Sequence, residues 1–281
     1  MNHKRVRVGM VWGDFPWDKP PGKMGPLLSM GAVARNTTWA FESIGEVIPF
    51  DRSKFSPSEF LKAVDVVLGT FYRDTEPFLK ARLEENLDCP FLLFAGGAMP
   101  RGAEALLFPW QDLLRPCDQL LFTCAADRAI WDTLTHRSAL GAWVVPLPVD
   151  QTAFRLREDS ERLATRRDLG IPAQAPVLLY VGRLNIQKNL HGLLYSFADL
   201  RAKIPEAVLC LVGEEDEIAV AEFGVRNTGY VQWLRELARD LGIENAIRFA
   251  GPFLGDDLAK IYASADLLIN LSFFHRENYG L

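Results

Sequence analysis

Short apolar runs alternate with stretches of helical periodicity along this chain, and that alternation restricts its fold more than any other feature. The first half carries six runs: Val6–Val11, Glu46–Phe50, Val66–Thr70, Phe91–Ala95, Leu120–Thr123 and Trp143–Leu147. Helical patterns lie between several of them, at about 27–42, 58–64, 76–85 and 126–140. A run such as Phe91-Leu92-Leu93-Phe94 is apolar on both faces, as a strand buried between helix layers must be. Strands that take turns with helices build parallel α/β sheets, because a parallel crossover needs a connection of helix length.

A linker follows at Pro146-Leu147-Pro148-Val149-Asp150. Two prolines in three residues fit neither a central strand nor a helix interior, since proline lacks the N–H and fixes φ. A domain boundary is expected there, giving domains 1–147 and 148–281. The alternation then restarts. A charged helix over about 158–169 is stopped by Gly170 and Pro172. Strand Val177–Val181 leads into a helix from about Asn189, with Leu190, Leu193, Leu194, Phe197 and Leu200 on one face. Strand Val208–Val212 is followed by a helix carrying Tyr230, Trp233, Leu234, Leu237 and Leu241. Strand Ile247–Ala250, a short helix near 258–262 and strand Leu267–Leu271 complete the pattern. If both halves are doubly wound sheets, the second, with four strands against six, lacks its last two.

Charge excludes one class of partner. The chain of 281 residues carries 31 basic and 36 acidic side chains, net −5, with neither half strongly basic. That leaves no electrostatic footprint for nucleic acid, although the first half has room for a basic patch and peripheral membrane contact. The four cysteines, Cys89, Cys117, Cys124 and Cys210, form no C-x-x-C pair and no zinc spacing, and are expected to be buried reduced thiols. The N-terminus alternates arginine with apolar residues like a strand, unlike a signal peptide. The longest apolar stretch, near Cys89–Met99, is too short for a membrane span. A soluble, cytoplasmic chain is expected.

The segment Tyr180-Val181-Gly182-Arg183-Leu184-Asn185-Ile186-Gln187-Lys188-Asn189 runs from a strand end, through a loop, to a helix start. Ligands of parallel sheets bind at strand carboxyl ends, and a helix N-terminus suits phosphate. Gly182 permits close backbone approach. Arg183 offers two parallel bonds to phosphate oxygens, and Lys188 adds a mobile point charge. The same residues also fit a surface loop with two solvated cations.

This G-R-L-x-x-x-K-N stretch resembles the donor-phosphate signature of retaining glycosyltransferases with the GT-B fold, family 4 (glycosyl transferases group 1). Further pieces follow in that family's order. Pro146–Asp150 is similar to its interdomain P-N-G-V-D segment, with Leu147 and Pro148 in place of Asn and Gly. Leu211-Val212-Gly213 resembles its glycine-ended strand. Phe249-Ala250-Gly251 with Leu258 and Tyr262, and Ala265-Asp266 through Ser272, resemble its later motifs, the last without the proline. Glu277-Asn278-Tyr279-Gly280-Leu281 matches E-x-F/Y-G-h. The resemblance is close from Pro146 onward and mainly architectural before it.

It implies a GT-B fold: two Rossmann-like, doubly wound domains facing a cleft, the second incomplete. It implies an enzyme that moves sugar from a nucleotide-diphosphate-sugar donor to a sugar, glycan, lipid or small-molecule acceptor, with retention of anomeric configuration. Arg183 and Lys188 would grip the diphosphate and stabilise the charge of the leaving group. Glu277 would bind hydroxyls of the transferred sugar; on its own it also fits a first-turn glutamate favoured by the helix dipole. Gly182, Asn278, Tyr279, Gly280 and Leu281 would line the donor site, with Phe253 near the nucleobase. No cofactor and no metal are implied, and no Asp-x-Asp motif sits at a strand end.

On the acceptor side the resemblance is thinner. Gly22, Lys23 and Gly25 lie where the family has a glycine-rich loop, and Arg73, Gly97 and Arg101 follow other strand ends, where they could line the cleft. Many members carry a histidine after a first-domain strand; here the first half has His3 and His136, at neither expected place, and His191 is expected to be an exposed helix residue. The family's second glutamate, which holds the donor ribose, would fall just past Leu281. A truncated, impaired chain with an exposed apolar edge at Leu267–Leu271 is therefore expected. The alternatives are a non-catalytic nucleotide-sugar binder and a GT-B nucleotide-sugar epimerase. The scarcity of histidine argues against the second. A dinucleotide dehydrogenase lacks its glycine fingerprint here.

Overall fold

The computed structural model describes residues 5–11, 28–70, 75–95, 110, 112–135, 140–216, 218–220, 225–226 and 228–272. The chain divides into two compact units, with the break in the continuous chain between Pro148 and Val149.

In the first unit, strands β1 (Val6–Val11), β2 (Gly45–Pro49), β3 (Val66–Thr70), β4 (Phe91–Ala95), β5 (Gln119–Phe122) and β6 (Gly141–Val144) form one sheet in the order β2-β1-β3-β4-β5-β6. Every pairing is parallel. Helices α1 (Leu28–Glu42), α2 (Pro57–Ala63), α3 (Glu76–Glu84) and α4 (Ala125–Thr135) connect these strands. Side-chain alternation along the strands separates two cores. Val11, Val67, Leu93 and Leu120 pack on one face with Phe60, Phe78 and Trp131, while Met10, Leu68, Phe94 and Leu121 pack on the other. The start of α2 is set locally: Ser56 and Glu59 form a reciprocal capping box, and Pro57 occupies the first turn.

The second unit repeats the plan. Strands β7 (Val177–Val181), β8 (Val208–Val212), β11 (Ile247–Gly251) and β12 (Leu267–Leu268) form a parallel sheet in the order β11-β8-β7-β12. Helices α5 (Asp159–Asp168), α6 (Leu190–Arg201), α7 (Tyr230–Asp240) and α8 (Gly255–Ser264) accompany it. Leu178, Tyr180, Leu209 and Leu211 pack with α6 and α7; Val177, Leu179, Cys210 and Val212 pack with Ile261 of α8 on the opposite face. A short antiparallel pair, β9 (Ile218–Val220) with β10 (Val225–Arg226), follows β8 and has no counterpart in the sequence reading.

Several expectations are corrected. β6 begins and ends earlier than the run 143–147, because Pro146 and Pro148 carry no N–H to extend the ladder past Val145. β12 is shorter than 267–271, since the Asn270 side chain takes the Ser272 N–H and turns the chain. Leu267 and Leu268 are more than half exposed on this edge strand. Cys89 and Cys210 are buried thiols, both pushed up to about 11 by burial, but Cys117 is exposed. Among the described residues no helix is long and apolar enough to cross a membrane.

Arg166 and Asp266 lock α5 to the amino ends of β7 and β12. Asp266 accepts the Val177 N–H at 2.7 Å and pairs with Arg166 at 2.8 Å and with Arg162. Burial pushes the Asp266 carboxyl up, but the Val177 N–H and the two arginines together hold it below the usual carboxylate range. A lowered pKa supplies stability above the unfolded value of about 4, lost as pH falls through the folded value. Urea midpoints are therefore expected to drop below about pH 4, and Asp266→Asn is expected to lower the neutral-pH midpoint and flatten that acid limb.

Candidate functional site

The carboxyl ends of β7, β8 and β11 are laced together by backbone hydrogen bonds. Gly182 N–H donates to Val212 O at 2.9 Å, Leu184 N–H to Glu214 O at 2.8 Å, and Gly213 N–H to Gly251 O at 3.0 Å. Two glycines allow this approach. Gly182 has φ +153° and Gly213 φ +144°. A Cβ on Gly213 would sit 1.9 Å from the Gly182 carbonyl oxygen, a contact no L-residue tolerates. The buried Tyr180 hydroxyl donates to Arg183 O at 2.9 Å and pins the turn from below.

Polar side chains gather on this backbone. Arg183 Nη1 donates to Asp216 Oδ2 at 2.5 Å, and Asn185 Nδ2 donates to the same oxygen at 3.0 Å. Asn185, Gln187, Lys188 and Asp216 are all buried. Asn185 Oδ1 and Glu214 Oε1 are buried acceptors with no protein partner among the described residues, and buried acceptors in folded proteins are normally satisfied. Lys188 closes a single 3₁₀ turn, Ile186–Lys188, at 4% exposure. Its side chain is therefore buried, where a mobile point charge is expected from the sequence.

The N-terminus of α6 also departs from expectation. Asn189 enters it in the left-handed conformation at φ +52°. The His191 N–H then donates to the Tyr230 hydroxyl at 3.3 Å, and His191 Nδ1 lies 3.0 Å from the same oxygen. Tyr230 thus occupies part of the helix end assigned to phosphate. His191 is half-buried against Tyr230 and Trp233, not an exposed helix residue. In turn Glu215 Oε1 accepts the Tyr230 N–H at 2.5 Å and caps α7.

Phe253 follows β11 and packs, partly buried, against the cluster that includes Val177, Leu179 and Ile261. Gly182, Arg183 and Lys188 are brought together on the β7 loop. Glu277, Asn278, Tyr279, Gly280 and Leu281, and Gly22, Lys23, Gly25, Arg73, Gly97 and Arg101, lie outside the described residues. Among the described residues, no three His, Cys, Asp or Glu side chains converge as metal ligands would. A cavity of 410 Å³ beside Arg166 and Asp266 lies at the amino end of β7, opposite the laced loops. The residues missed from sequence are Asn185, Glu215, Asp216 and Tyr230. Four consecutive acids after β8, Glu214-Glu215-Asp216-Glu217, were the available signal.

Residues 161–281 match the family model for glycosyl transferases group 1. That stretch holds all of the laced loops, with Arg183 and Lys188 among its residues. The D-inositol 3-phosphate glycosyltransferase of Corynebacterium kroppenstedtii is 34% identical over 49% of this chain and 29% of its own length. That of Kineococcus radiotolerans is 30% identical over 61% of this chain and 38% of its own length. The chain thus spans well under half the length of these curated relatives. Among solved structures, Anabaena HepE in complex with UDP aligns over 96% of this chain and 75% of its own, at TM-score 0.69 and 17% identity. WaaG, a glycosyltransferase involved in lipopolysaccharide biosynthesis, aligns over 95% and 75% at TM-score 0.58 and 13% identity. At such identities the likeness is one of fold: α/β with Rossmann-like parallel sheets, the GT-B class.

Proposed function

We propose that this protein is a glycosyltransferase that moves a sugar from a nucleoside-diphosphate-sugar donor to an acceptor, with retention of anomeric configuration. The observation that carries the reading is the Arg183 guanidinium. It is held at the carboxyl end of β7, in a segment that matches the group 1 family and on the same loop as the buried Lys188. A parallel sheet presents its ligand sites at this edge. Two fixed cations at a developing diphosphate stabilise the leaving group without reorganising. The HepE complexes with UDP and with UDP-glucose support a uridine donor, and the curated relatives support D-inositol 3-phosphate as a first acceptor to try.

Turnover is tested by incubating the chain with UDP-glucose, GDP-mannose and ADP-glucose, and following sugar transfer to a panel of acceptors that includes D-inositol 3-phosphate. Binding is tested by titration calorimetry with UDP. Arg183→Ala combined with Lys188→Met, which keeps the buried aliphatic stem, is expected to weaken UDP binding at least about hundredfold, roughly 2.7 kcal/mol. Unchanged affinity in that variant would remove the basis of the assignment.

A further inference from the structure

We infer that Asp216 is a positioning residue, whose buried carboxylate holds the Arg183 guanidinium in the orientation that meets the donor diphosphate. The inference rests on the reading of Arg183 as a phosphate ligand. Asp216 is 3% exposed and follows β8, on the loop laced to that of β7. Its Oδ2 takes both Arg183 Nη1 at 2.5 Å and the Nδ2 of the fully buried Asn185 at 3.0 Å. Its own N–H lies 3.4 Å from Leu184 O. The carboxylate is thus fixed by main chain and side chain of the loop that carries Arg183.

A guanidinium is a rigid plane of five N–H donors, so fixing one corner fixes the direction of the rest. The Arg183 side chain is 36% exposed, although one corner of its guanidinium is tethered to a carboxylate that is 3% exposed. An untethered arginine would lose its rotamer freedom when the ligand arrives; a tethered one has already lost it. The Asp216 charge also repels an anionic ligand. That repulsion acts whether or not Arg183 is present, whereas the positioning effect requires Arg183, so a double-mutant cycle separates them.

The experiment is titration calorimetry with UDP on the wild-type chain, Asp216→Ala, Arg183→Ala and the double variant. Asp216→Ala is expected to weaken UDP binding about tenfold when Arg183 is present and to cause no weakening in the Arg183→Ala background. Asp216→Asn keeps an acceptor oxygen in nearly the same place and is expected to lose only about threefold, again only with Arg183 present. It serves as the test if the alanine variant does not fold. Equal weakening in both backgrounds would assign Asp216 a purely structural role and overturn the inference. So would no weakening in either, with the Arg183 reading left standing. Wild-type UDP affinity retained in Arg183→Ala would overturn both.

Discussion

Asp118→Ala is expected to destabilise the first unit by about 3–5 kcal/mol, because it strands a buried guanidinium. Arg82 lies on α3 and Asp118 just before β5, and their side chains are 0% and 1% exposed. Nη1 and Nη2 of Arg82 meet the two carboxylate oxygens at 2.6 and 2.8 Å, a bidentate pair. The same guanidinium donates to the carbonyls of Cys89 at 3.0 Å and Leu113 at 2.7 Å, and stacks 4.7 Å from the Phe91 ring. Asp118 also accepts the Phe91 N–H at 2.9 Å and the Arg115 N–H at 2.8 Å. Alanine would therefore leave the buried Arg82 charge without its counter-ion and the Phe91 and Arg115 N–H groups without their acceptor. Arg82→Met is expected to cost less, since it removes the charge with its solvation cost, fills similar volume, and leaves Asp118 its two backbone donors. Urea midpoints rank the three proteins. A loss under about 1 kcal/mol for Asp118→Ala, the range of exposed ion pairs, would show that the pair is open to water.

The strands of both sheets were legible because their signal is local. A five-residue run with no polar side chain, such as Val208–Val212, has to be covered on both faces wherever the chain goes, and a parallel strand is covered that way. The Arg82–Asp118 pair was not legible. Arg82 sits on the buried stripe of α3, four residues after Phe78, where a charge looks like an interruption of the pattern. Its partner is 36 residues away and is met only when β4 and β5 align. The β9–β10 pair escaped for a different reason: strands of three and two residues are too short to show a period.

In the site, residue types were readable but their states were not. Arg183 and Lys188 follow a strand end, and chemistry at that place is general to parallel sheets. Burial of Lys188 depends on how a 3₁₀ turn folds back between the strand and α6, which spacing does not encode. The Tyr230 hydroxyl reaches the end of α6 from a helix that starts forty residues later, so only tertiary packing shows that part of that helix end is taken. Asp216 belongs to the same class: its role depends on the lacing of two loops.

Gly213 makes that lacing testable, and Gly213→Ala is expected to cost about 3–5 kcal/mol. Three effects add. A side chain at φ +144° occupies backbone space that only glycine visits readily, a cost of about 1–3 kcal/mol. The new Cβ would lie 1.9 Å from the Gly182 oxygen and 2.9 Å from its carbonyl carbon. Both are main-chain atoms of an adjacent loop, so no rotamer change relieves the clash and the ends of β7 and β8 must part. Parting them breaks the Gly182-to-Val212 and Leu184-to-Glu214 hydrogen bonds, each worth about 1 kcal/mol. Gly229 is the control. It also has positive φ, at +77°, but a Cβ there meets nothing within 4 Å, so Gly229→Ala keeps only the conformational penalty of about 1–2 kcal/mol. Chemical denaturation of the two variants separates close approach from backbone conformation. Equal losses would mean that the loops do not touch at Gly213. A much larger loss at Gly213, accompanied by weaker UDP binding, would mean that the contact closing the sheet edge is also the one that places Asp216 beneath Arg183.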